Sequence, residues 1–449
     1  SDGFDVSWVV RWDWPAGVRE SGPMAHLAII GTGYVGLTTG ACLAHLGHHV
    51  VCADIDEEKV AGLSRGEVPI VEEGLGDLVV EGIANGRLRF VVGSFEAVSD
   101  CEAAFLCVPT PQGVDGSVDL SYIEAAAREL STTLPSETIV VNKSTVPVGS
   151  TRVVERFLER GDVAVVSNPE FLREGSAVRD FLEPDRIVIG SDDPDVARTV
   201  ASLYAGVDAP VLITDPASAE TIKYAANAFL ATKLSFVNAL AAVCEGVGAD
   251  VSDVVMGLGY DRRIGHQYLQ PGPGWGGSCF PKDTSALLHI AESGGYDFRF
   301  LGGVIAVNEE QFSRVAEKAR QAAGGALAGS TVAVWGLTFK AGTDDMRDSP
   351  ALSVINLLLA GGATVQAFDP TVSSHRGGLD ERVEVGTDPL AVCGGADVLM
   401  VLTEWSEFAD VEPDDVAALM AGRGLVDTRN LLDRDAWTGR GFDYYGIGR

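Results

Sequence analysis

A glycine-spaced turn between an apolar run and a helical pattern constrains the fold of this chain more than any other feature. The motif Gly31-Thr-Gly33-Tyr-Val-Gly36 directly follows the apolar run Leu27 to Ile30. A helical pattern then reaches Leu46. The first glycine permits a tight turn, the second lets the backbone approach a ligand, and the third allows the helix to pack closely on the strand. The sequence therefore predicts a strand, a tight turn and a helix at the start of a parallel sheet.

Apolar runs and helical patterns alternate along much of the chain. In the first part, strands are predicted at residues 27–30, 50–53, 103–108, 138–141, 163–166 and 187–189. From residue 218 to about 322 the pattern is helical, and a second α/β pattern follows, with strands predicted at 331–335, 364–368, 398–402 and 424–426. The expected fold class is α/β, with two doubly wound Rossmann-like domains joined by a central helical section.

The glycine turn is also the place where such a sheet binds a dinucleotide, because the amino end of the helix offers free N–H groups to a pyrophosphate. In these sites an acidic residue follows about 20 positions later and accepts a hydrogen bond from a ribose 2′-OH. Asp54 stands there, at the end of the second predicted strand. Since a carboxylate repels a 2′-phosphate, NAD is favoured over NADP. The alternative is a strand, turn and helix with a structural role only.

Composition disfavours several other classes of protein. The chain has 33 Lys plus Arg against 64 Asp plus Glu, a net charge of −31, which argues against nucleic acid as a partner. Its seven cysteines form no C-x-x-C pair and are odd in number, so a reducing, cytoplasmic location is predicted. The chain contains no uninterrupted apolar run of about 18 residues, so no membrane span is expected. The seven histidines show no metal-ligand spacing with the cysteines, so no metal is expected.

A cysteine in a glycine-rich loop forms the candidate chemical centre. Cys279 lies in Gly272-Pro-Gly-Trp-Gly276-Gly-Ser-Cys279-Phe-Pro-Lys282-Asp283, where glycine and proline preclude a regular helix or strand up to the cysteine. Such a loop can bring a thiolate and backbone N–H groups close to a ligand. The other six cysteines are interpreted as inert buried residues.

Lys223 and Asn227 stand four residues apart in a helical pattern, and hence on one face. An ammonium and an amide there can stabilise the oxyanion that forms when a thiolate adds to a carbonyl. The same spacing is equally typical of a solvated helix face. Two segments that follow predicted strands, residues 143–149 and 168–175, add candidate bases and water-positioning groups.

In their order along the chain, these motifs resemble the UDP-glucose 6-dehydrogenase family. The resemblance rests on Gly31 to Gly36, Ser144-Thr145-Val-Pro-Val-Gly149, Asn168-Pro-Glu170-Phe-Leu, Lys223 with Asn227, and Gly276-Gly-Ser-Cys279-Phe-Pro-Lys-Asp283. It implies an NAD-binding Rossmann domain over 24–216, a central helical dimerisation and catalytic section over 217–325, and a UDP-sugar-binding Rossmann-like domain over 326–449. Residues 1–23 are expected to be a leader or an extra arm.

The resemblance also implies roles for individual residues. Those for catalysis are Cys279 as the nucleophile, Lys223 and Asn227 as stabilisers of its oxyanion intermediates, Asp283 to orient or activate water, and Thr145 and Glu170 for the proton and water steps. Those for the cofactor are Gly31, Gly33, Tyr34, Val35, Gly36, Asp54, Lys59, Thr110, Thr145, Glu174, Lys282 and Arg347. Those for the substrate are Glu170, Phe171, Leu172, Lys223, Asn227, Arg263, Tyr268, Gly276, Phe280, Phe339, Lys340 and Arg429. Arg263 is expected to reach across the interface of a homodimer or higher homo-oligomer.

The implied reaction is the NAD-dependent four-electron oxidation of the C6 alcohol of UDP-glucose to the carboxylate of UDP-glucuronate. A thiolate can hold the intermediate aldehyde as a thiohemiacetal, whose oxidation gives a thioester that water hydrolyses. The loop favours UDP-glucose, because the GDP-mannose branch tends to carry leucine at the position of Phe280 and the N-acetylmannosamine branch histidine at that of Ser278. The same reaction on dTDP-glucose, GDP-mannose or a UDP-N-acetylhexosamine is an open alternative. So are a simple two-electron NAD alcohol dehydrogenase and an inactive NAD-sensing or scaffold protein.

Overall fold

The computed structural model describes residues 24–111, 113 and 118–449. Within these residues the chain forms two compact units that divide after Ala225. Both are built on sheets of mainly parallel strands, so the predicted α/β class with Rossmann-type units is confirmed. The expected leader or arm at residues 1–23 lies outside the described residues.

The first unit contains one sheet covered by helices. Its strands are β1 (His26–Ile30), β2 (His49–Asp54), β3 (Leu88–Val92), β4 (Ala103–Leu106), β5 (Ile139–Asn142), β6 (Ala164–Ser167), β7 (Ile187–Gly190) and β8 (Val211–Thr214). Its helices are α1 (Tyr34–His45), α2 (Glu57–Ser64), α3 (Leu75–Ala84), α4 (Ser94–Val98), α5 (Ser121–Ser131), α6 (Ser150–Leu158), α7 (Ala177–Leu182) and α8 (Pro194–Ser202). The strand order is β3-β2-β1-β4-β5-β6-β7-β8. Its first six strands follow the order of a dinucleotide-binding sheet, in which the winding reverses between β1 and β4.

The pairing of β6 and β7 differs from the parallel sheet that the sequence predicted. These two strands are antiparallel and meet at the single pair Ser167 and Gly190. A parallel neighbour requires a crossover that packs on the sheet. Here the connecting segment instead places α7 against α1, and β7 therefore returns beside β6 in the opposite direction. The strands β3 and β8 were not predicted.

Strand β1 shows why its sequence is apolar at every position after the first. Leu27 and Ile29 join the hydrophobic core on one face of the sheet, whereas Ala28 and Ile30 join the core on the other. Because helices cover both faces, neither face of the strand meets water. This packing fixes the carboxyl end of β1, from which the glycine turn starts.

The second unit combines a helical section with a smaller sheet. Its helices are the greater part of α9 (Pro216–Val247), then α10 (Val251–Gly259), α11 (Phe280–Ser293), α12 (Arg299–Ala322), α13 (Pro350–Ala360), α14 (Pro413–Leu419) and α15 (Arg434–Thr438). Its strands are β9 (Thr331–Trp335), β10 (Thr364–Phe368), β11 (Glu384–Val385), β12 (Val398–Val401), β13 (Gly424–Asp427) and β14 (Asp443–Gly446). They are all parallel, in the order β11-β10-β9-β12-β13-β14. The strands β11 and β14 were not predicted.

Helix α9 links the two units and carries several buried polar side chains. Among the described helices, it is the one long and apolar enough to cross a membrane by length and composition, a test that core helices also pass. Glu220, Lys223 and Asn227 on this helix are buried and hydrogen-bonded to other protein groups. These contacts are typical of a core helix, because polar groups on a lipid-facing surface would lack such partners.

We predict that Gly36→Ala destabilises the first unit and that Gly33→Ala does not. A Cβ atom at Gly36 would lie 1.9 Å from the carbonyl oxygen of Gly31, whereas one at Gly33 would meet no atom within 4 Å. Because the obstacle at Gly36 is backbone, we expect a loss of about 1–3 kcal/mol of stability or more. Differential scanning calorimetry of both variants checks this. Equal Tm values for the two variants would contradict the close helix-strand contact.

Candidate active site

The glycine turn lies at the carboxyl end of β1. Gly31 has a φ of 97°, and a Cβ atom there would lie 2.7 Å from the carbonyl oxygen of Cys107. Only glycine fits this position. Helix α1 begins at Tyr34 with Gly33 as its N-cap, and no side chain caps its first turn. Its amino end, which includes the half-buried Val35, therefore keeps backbone N–H groups available for a phosphate.

The carboxylate of Asp54 lies at the end of β2, beside this turn. It accepts hydrogen bonds from the backbone N–H of Thr32 at 3.0 Å, from the Thr32 hydroxyl at 2.5 Å and from Lys59 Nζ at 3.0 Å. Burial by itself would raise the pKa of Asp54, but these hydrogen bonds outweigh it and lower the pKa to about 2. The structure thus brings the predicted residues Asp54 and Lys59 together as a charged pair where a dinucleotide ribose binds in this fold.

Glu72 organises the same edge of the sheet, although no local sequence pattern marks it. Its buried carboxylate accepts the Tyr34 hydroxyl and the backbone N–H groups of Gly175 and Ala177, the latter two at 2.7 Å. Burial, followed by the charge and hydrogen bond of Glu72, raises the pKa of Tyr34 far above its usual range. Tyr34 is therefore a neutral hydrogen-bond donor. Through Glu72 it connects the glycine turn to the segment that carries Glu174.

The ends of β4, β5 and β6 meet at this edge through buried polar contacts. Thr110 follows β4 and Thr145 follows β5, both half-buried. Lys143 Nζ is buried and donates to Asn168 Oδ1 and to the Tyr204 hydroxyl, each at 3.1 Å. These contacts hold the segments after β5 and β6 together, as expected where adjacent parallel strands end.

Glu220, near the amino end of α9, fixes the end of the segment that carries Thr145. Its carboxylate accepts the backbone N–H of Gly149 at 2.6 Å and both the N–H and hydroxyl of Thr151. Burial raises the pKa of Glu220 above its usual value, despite these donors. A carboxylate at the amino end of α6 is stabilised by the helix dipole. No local sequence pattern marks Glu220, because its partners lie about 70 positions away along the chain.

Glu170 and Lys223 form a buried ion pair in the first unit. Glu170 Oε1 lies 2.8 Å from Lys223 Nζ, and both side chains are about 5% exposed or less. Burial would raise the pKa of Glu170, but the charge and hydrogen bond of Lys223, with a bond from the Leu172 N–H, lower it. Glu170 is therefore a carboxylate that pairs with Lys223.

Phe171 lies between two cationic groups. Its ring centre is 3.7 Å from the Arg186 guanidinium and 5.5 Å from Lys223 Nζ. Burial lowers the pKa of Arg186. The predicted residues Glu170, Phe171 and Lys223 are thus brought together, and Arg186 joins them although the sequence analysis missed it.

In the second unit, Cys279 is half-buried and is the N-cap residue of α11. The hydroxyl of Ser278 lies 3.6 Å from its sulfur, and its carbonyl oxygen accepts the backbone N–H of Asp283 at 2.8 Å. The 14-residue helix begins directly after the cysteine. Because the amino end of a helix carries partial positive charge, this position favours a thiolate.

A fully buried carboxylate lies one turn into the same helix. Asp283 accepts a hydrogen bond from Asn227 Nδ2 at 2.6 Å and another from Lys282 Nζ at 2.6 Å. The predicted catalytic residues Asn227 and Asp283 therefore contact each other. Lys282, which was assigned to the cofactor, bonds to Asp283 in this structure.

The glycine loop before Cys279 packs on the connection between β9 and α13. A Cβ atom at Gly276 would lie 1.9 Å from the Asp348 carbonyl oxygen, and one at Gly277 would lie 2.8 Å from the ring of Phe339. Phe280 lies near the rings of Tyr268 and Trp275. Several predicted substrate residues are therefore grouped around this loop.

The carboxyl edge of the second sheet carries Arg429. Its guanidinium donates to the carbonyl oxygens of Leu402 and Phe339 at 2.9 and 3.2 Å and lies 2.9 Å from the carboxylate of Glu404. Lys340 Nζ lies 5.5 Å from the centre of the Phe339 ring. Lys340 and Arg429, which the resemblance assigns to the substrate, thus lie at the edge where open α/β sheets bind ligands.

Two predicted arginines lie on the surface. Arg263 is 88% exposed and pairs with Asp261 at 2.6 Å. Arg347 is 62% exposed and pairs with Asp345 at 2.6 Å. The structure does not group Arg263 with the residues around Cys279.

The remaining cysteines differ from Cys279 in burial. The buried thiols are Cys42, Cys52, Cys101, Cys107, Cys244 and Cys393. Burial raises the pKa of Cys101 and of Cys393 to about 12, so both stay protonated near neutral pH. Across the part of the chain that the structure describes, no group of three or more His, Cys, Asp or Glu side chains could hold a metal ion.

Three family models match the chain in sequence. Residues 25–208 match the NAD binding domain of the UDP-glucose/GDP-mannose dehydrogenase family, residues 217–310 match its central domain, and residues 333–434 match its UDP binding domain. The matches follow the order of the glycine turn, the Cys279 loop and the second sheet.

Relatives are similar over almost the whole chain. A UDP-glucose 6-dehydrogenase of Rhizobium meliloti is 46% identical and covers 94% of this chain and 99% of its own length. One of Bacillus subtilis is 44% identical, covering 95% of this chain and 94% of its own length. The structure of a UDP-glucose dehydrogenase from Pyrobaculum islandicum shares 38% identity at a TM-score of 0.88 and covers 97% of this chain and 99% of that one. The predicted NAD dependence is confirmed, and the chain belongs to the UDP-glucose/GDP-mannose dehydrogenase family of NAD-dependent oxidoreductases.

Proposed function

We propose that this chain oxidises the C6 alcohol of UDP-glucose to the carboxylate of UDP-glucuronate, with Cys279 holding the sugar between two oxidations. The half-buried thiol at the amino end of α11 carries this proposal, because the other six cysteines are buried. The similarity to proteins named UDP-glucose 6-dehydrogenase supports the choice of substrate. Ser278 and Phe280 also favour UDP-glucose over the mannose and N-acetylmannosamine branches.

The reaction removes four electrons and consumes one water. Bound NAD supplies the hydride acceptor for each oxidation. The Cys279 sulfur adds to the aldehyde carbon left by the first oxidation, and the former carbonyl oxygen takes a proton to give a thiohemiacetal. Loss of the C6 hydrogen with its electron pair and of the hydroxyl proton then leaves a thioester. Water adds to the thioester carbon, the C–S bond breaks, and the thiol and the carboxylate are released.

The buried polar groups suit different parts of this chemistry. Helix α9 carries Lys223 and Asn227 four residues apart, and we assign both to stabilising the oxyanions on C6. Because its pKa is lowered, Glu170 is a weak base near neutral pH and better suits keeping Lys223 charged and orienting water. Asp283, which is fully buried and bonded to Asn227, is assigned to holding Asn227 and water in place. Thr145 is assigned to the proton steps.

Binding roles follow the two sheets. We assign the glycine turn, Asp54, Lys59, Thr110, Glu174, Lys282 and Arg347 to NAD. The edge of the second sheet, with Phe339, Lys340 and Arg429, is assigned to the nucleotide of the substrate. Two observations support this assignment. An aromatic ring and two cations are grouped at this edge, and the segment matches a UDP binding domain. The free thiols fit a reducing, cytoplasmic location.

We also propose a homodimer formed through the helical section. Exposed large apolar side chains concentrate there, at Phe229, Phe236, Val243, Val247, Met256, Tyr260, Ile264, Tyr296 and Phe300. Phe229, Phe236 and Val243 are spaced by seven residues on α9 and therefore share one face. A stripe of this kind is typical of a subunit interface. The exposed Arg263 lies just after α10 and suits a role in the site of a partner subunit.

We expect Cys279→Ala to abolish acid formation, because no other group can hold the aldehyde for the second oxidation. The rate of UDP-glucuronate formation should fall by at least about a thousandfold. Cys101→Ala is the matched control, since this buried thiol precedes β4 at the opposite edge of the sheet, and it should keep most of the activity. Full turnover by Cys279→Ala, measured by chromatography of the product, would contradict the mechanism.

We expect two NADH for each UDP-glucose consumed, because one alcohol carbon becomes a carboxylate. NADH absorbance, set against the UDP-glucose remaining after a limited reaction, gives this ratio. The same assay with dTDP-glucose, GDP-mannose and UDP-N-acetylhexosamines ranks the substrates by kcat/KM. A ratio of one with an aldehyde product would identify a two-electron dehydrogenase, and a higher kcat/KM for another nucleotide sugar would reassign the substrate.

We expect Phe236→Glu to weaken the dimer, because a charge in the apolar stripe must be desolvated when two subunits meet. Sedimentation velocity should show the variant shifted towards monomer at concentrations where the wild type is a dimer. Phe95→Glu is the control, since Phe95 is a similarly exposed phenylalanine in the first unit. An unchanged mass for Phe236→Glu, or an equal shift for Phe95→Glu, would argue against this interface.

A further inference from the structure

Four buried polar side chains surround the loop that leads to Cys279. This thiol loop comprises residues 272–279. The four anchoring side chains are Ser235 and Asn238 on α9 and Asn308 and Gln311 on α12. They are between 2 and 6% exposed. None of them belongs to the site residues that the sequence predicted.

The anchoring side chains satisfy the loop backbone at two residues. Asn238 Oδ1 accepts the Gly272 N–H at 2.8 Å, and Gln311 Nε2 donates to the Gly272 carbonyl oxygen at 2.7 Å. Asn308 accepts the Trp275 N–H at 2.8 Å and donates to the Trp275 carbonyl oxygen at 2.9 Å. The N–H and the C=O of both residues are therefore bound by side-chain amides, and their peptide planes cannot rotate without losing a bond.

The indole of Trp275 adds a third attachment. Its Nε1 donates to the Ser235 hydroxyl at 2.9 Å, and that hydroxyl donates to the Val304 carbonyl oxygen at 2.8 Å. Gly274 has a φ of 129°, and a Cβ atom there would lie 3.0 Å from Asn308 Oδ1. The loop sequence and the anchoring side chains therefore fit each other at close range.

The other side of the loop is fixed by backbone and ring contacts. Gly276 packs against the Asp348 carbonyl and Gly277 against the ring of Phe339. After these two sets of contacts, only Ser278 separates Gly277 from Cys279. A shift at Trp275 is therefore transmitted to the sulfur, because the intervening glycines have no room to absorb it against Asp348 and Phe339.

We propose that Ser235, Asn238, Asn308 and Gln311 are positioning residues that set the place and reactivity of the Cys279 thiol. This rests on the proposed role of Cys279 as the nucleophile. The four side chains act through the backbone of the thiol loop and not on the substrate. A misplacement of about 1 Å at a reacting group can cost on the order of a hundredfold in rate, so loss of one anchoring bond is measurable.

The test uses the full-length protein with Gln311→Met, which keeps the length of the side chain and removes the donor to Gly272. Gln321→Met is the matched control, because Gln321 is an exposed glutamine on the same helix. Ser235→Ala is a milder second variant that removes only the hydroxyl beside the Trp275 indole. The measurements are kcat with UDP-glucose, KM for NAD, and the rate of Cys279 alkylation by iodoacetamide, read by peptide mass spectrometry.

We expect Gln311→Met to lower kcat at least about tenfold, to change the alkylation rate at least about fivefold, and to leave KM for NAD within about twofold. The control should match the wild type in all three. A merely structural role would lower Tm without changing how fast the folded protein is alkylated. If Gln311→Met does not fold, a smaller change of the same kind in Ser235→Ala supports the proposal.

Wild-type kcat and alkylation rates in a folded Gln311→Met, or in Ser235→Ala where Gln311→Met does not fold, would overturn the proposal. Cys279→Ala is measured in parallel, so that failure of the positioning proposal can be told apart from failure of the proposed function. Full activity of Cys279→Ala would show that Cys279 is not the nucleophile. The alkylation rates would still report whether the anchoring side chains set the position of the thiol.

Discussion

Buried backbone polar groups outside helices and strands need hydrogen-bond partners, and in the loop before Cys279 buried side chains supply them. The thiol loop needs glycine to approach Asp348 and Phe339, and glycine leaves it without regular hydrogen bonding. The side-chain amides on α9 and α12 supply the backbone hydrogen bonds that a neighbouring strand would otherwise supply. The long helices therefore hold a non-regular loop that presents a thiol at the start of α11, as well as filling the core.

The second sheet repeats the order of the first six strands of the first sheet, and each sheet has a bonded acid at the end of its second strand. In the first, Asp54 holds Thr32 and Lys59 at the glycine turn. In the second, the buried Asp369 accepts the backbone N–H groups of Leu337 and Thr338 and the indole N–H of Trp405. Its turn has one glycine, Gly336, and α13 begins only at Pro350. Because this turn has a single glycine and no helix starts there, the second sheet lacks the features that bind a dinucleotide.

The sequence predicted those parts of the fold and site that depend on neighbouring residues. The glycine turn, Asp54, the apolar strands and the Cys279 loop are local patterns, and the structure places each where expected. Strand β3 was missed because its exposed Arg89 breaks the apolar run. Strand β7 was predicted, but its antiparallel direction was not, because direction depends on how the connecting segment packs. The sequence did not predict the roles of Glu72, Glu220 and the anchoring side chains, because their hydrogen-bond partners lie 33 to 105 positions away along the chain. No local pattern encodes such contacts.

A net charge of −31 on a protein of this family raises the question of how an anionic nucleotide sugar is held. At physiological salt the field is screened within about 8 Å, so nearby groups decide binding. Yet Arg429 lies beside Glu404, Arg347 beside Asp345 and Lys59 beside Asp54. A phosphate or ribose that reaches one of these cations replaces or shares its carboxylate. The binding free energy that the ligand gains is then the difference between its interaction with the cation and that of the carboxylate. This difference is smaller than the gain from a cation without a carboxylate beside it. On the binding roles proposed above, these carboxylates keep the cations positioned without ligand, and their exchange limits how tightly a product is retained.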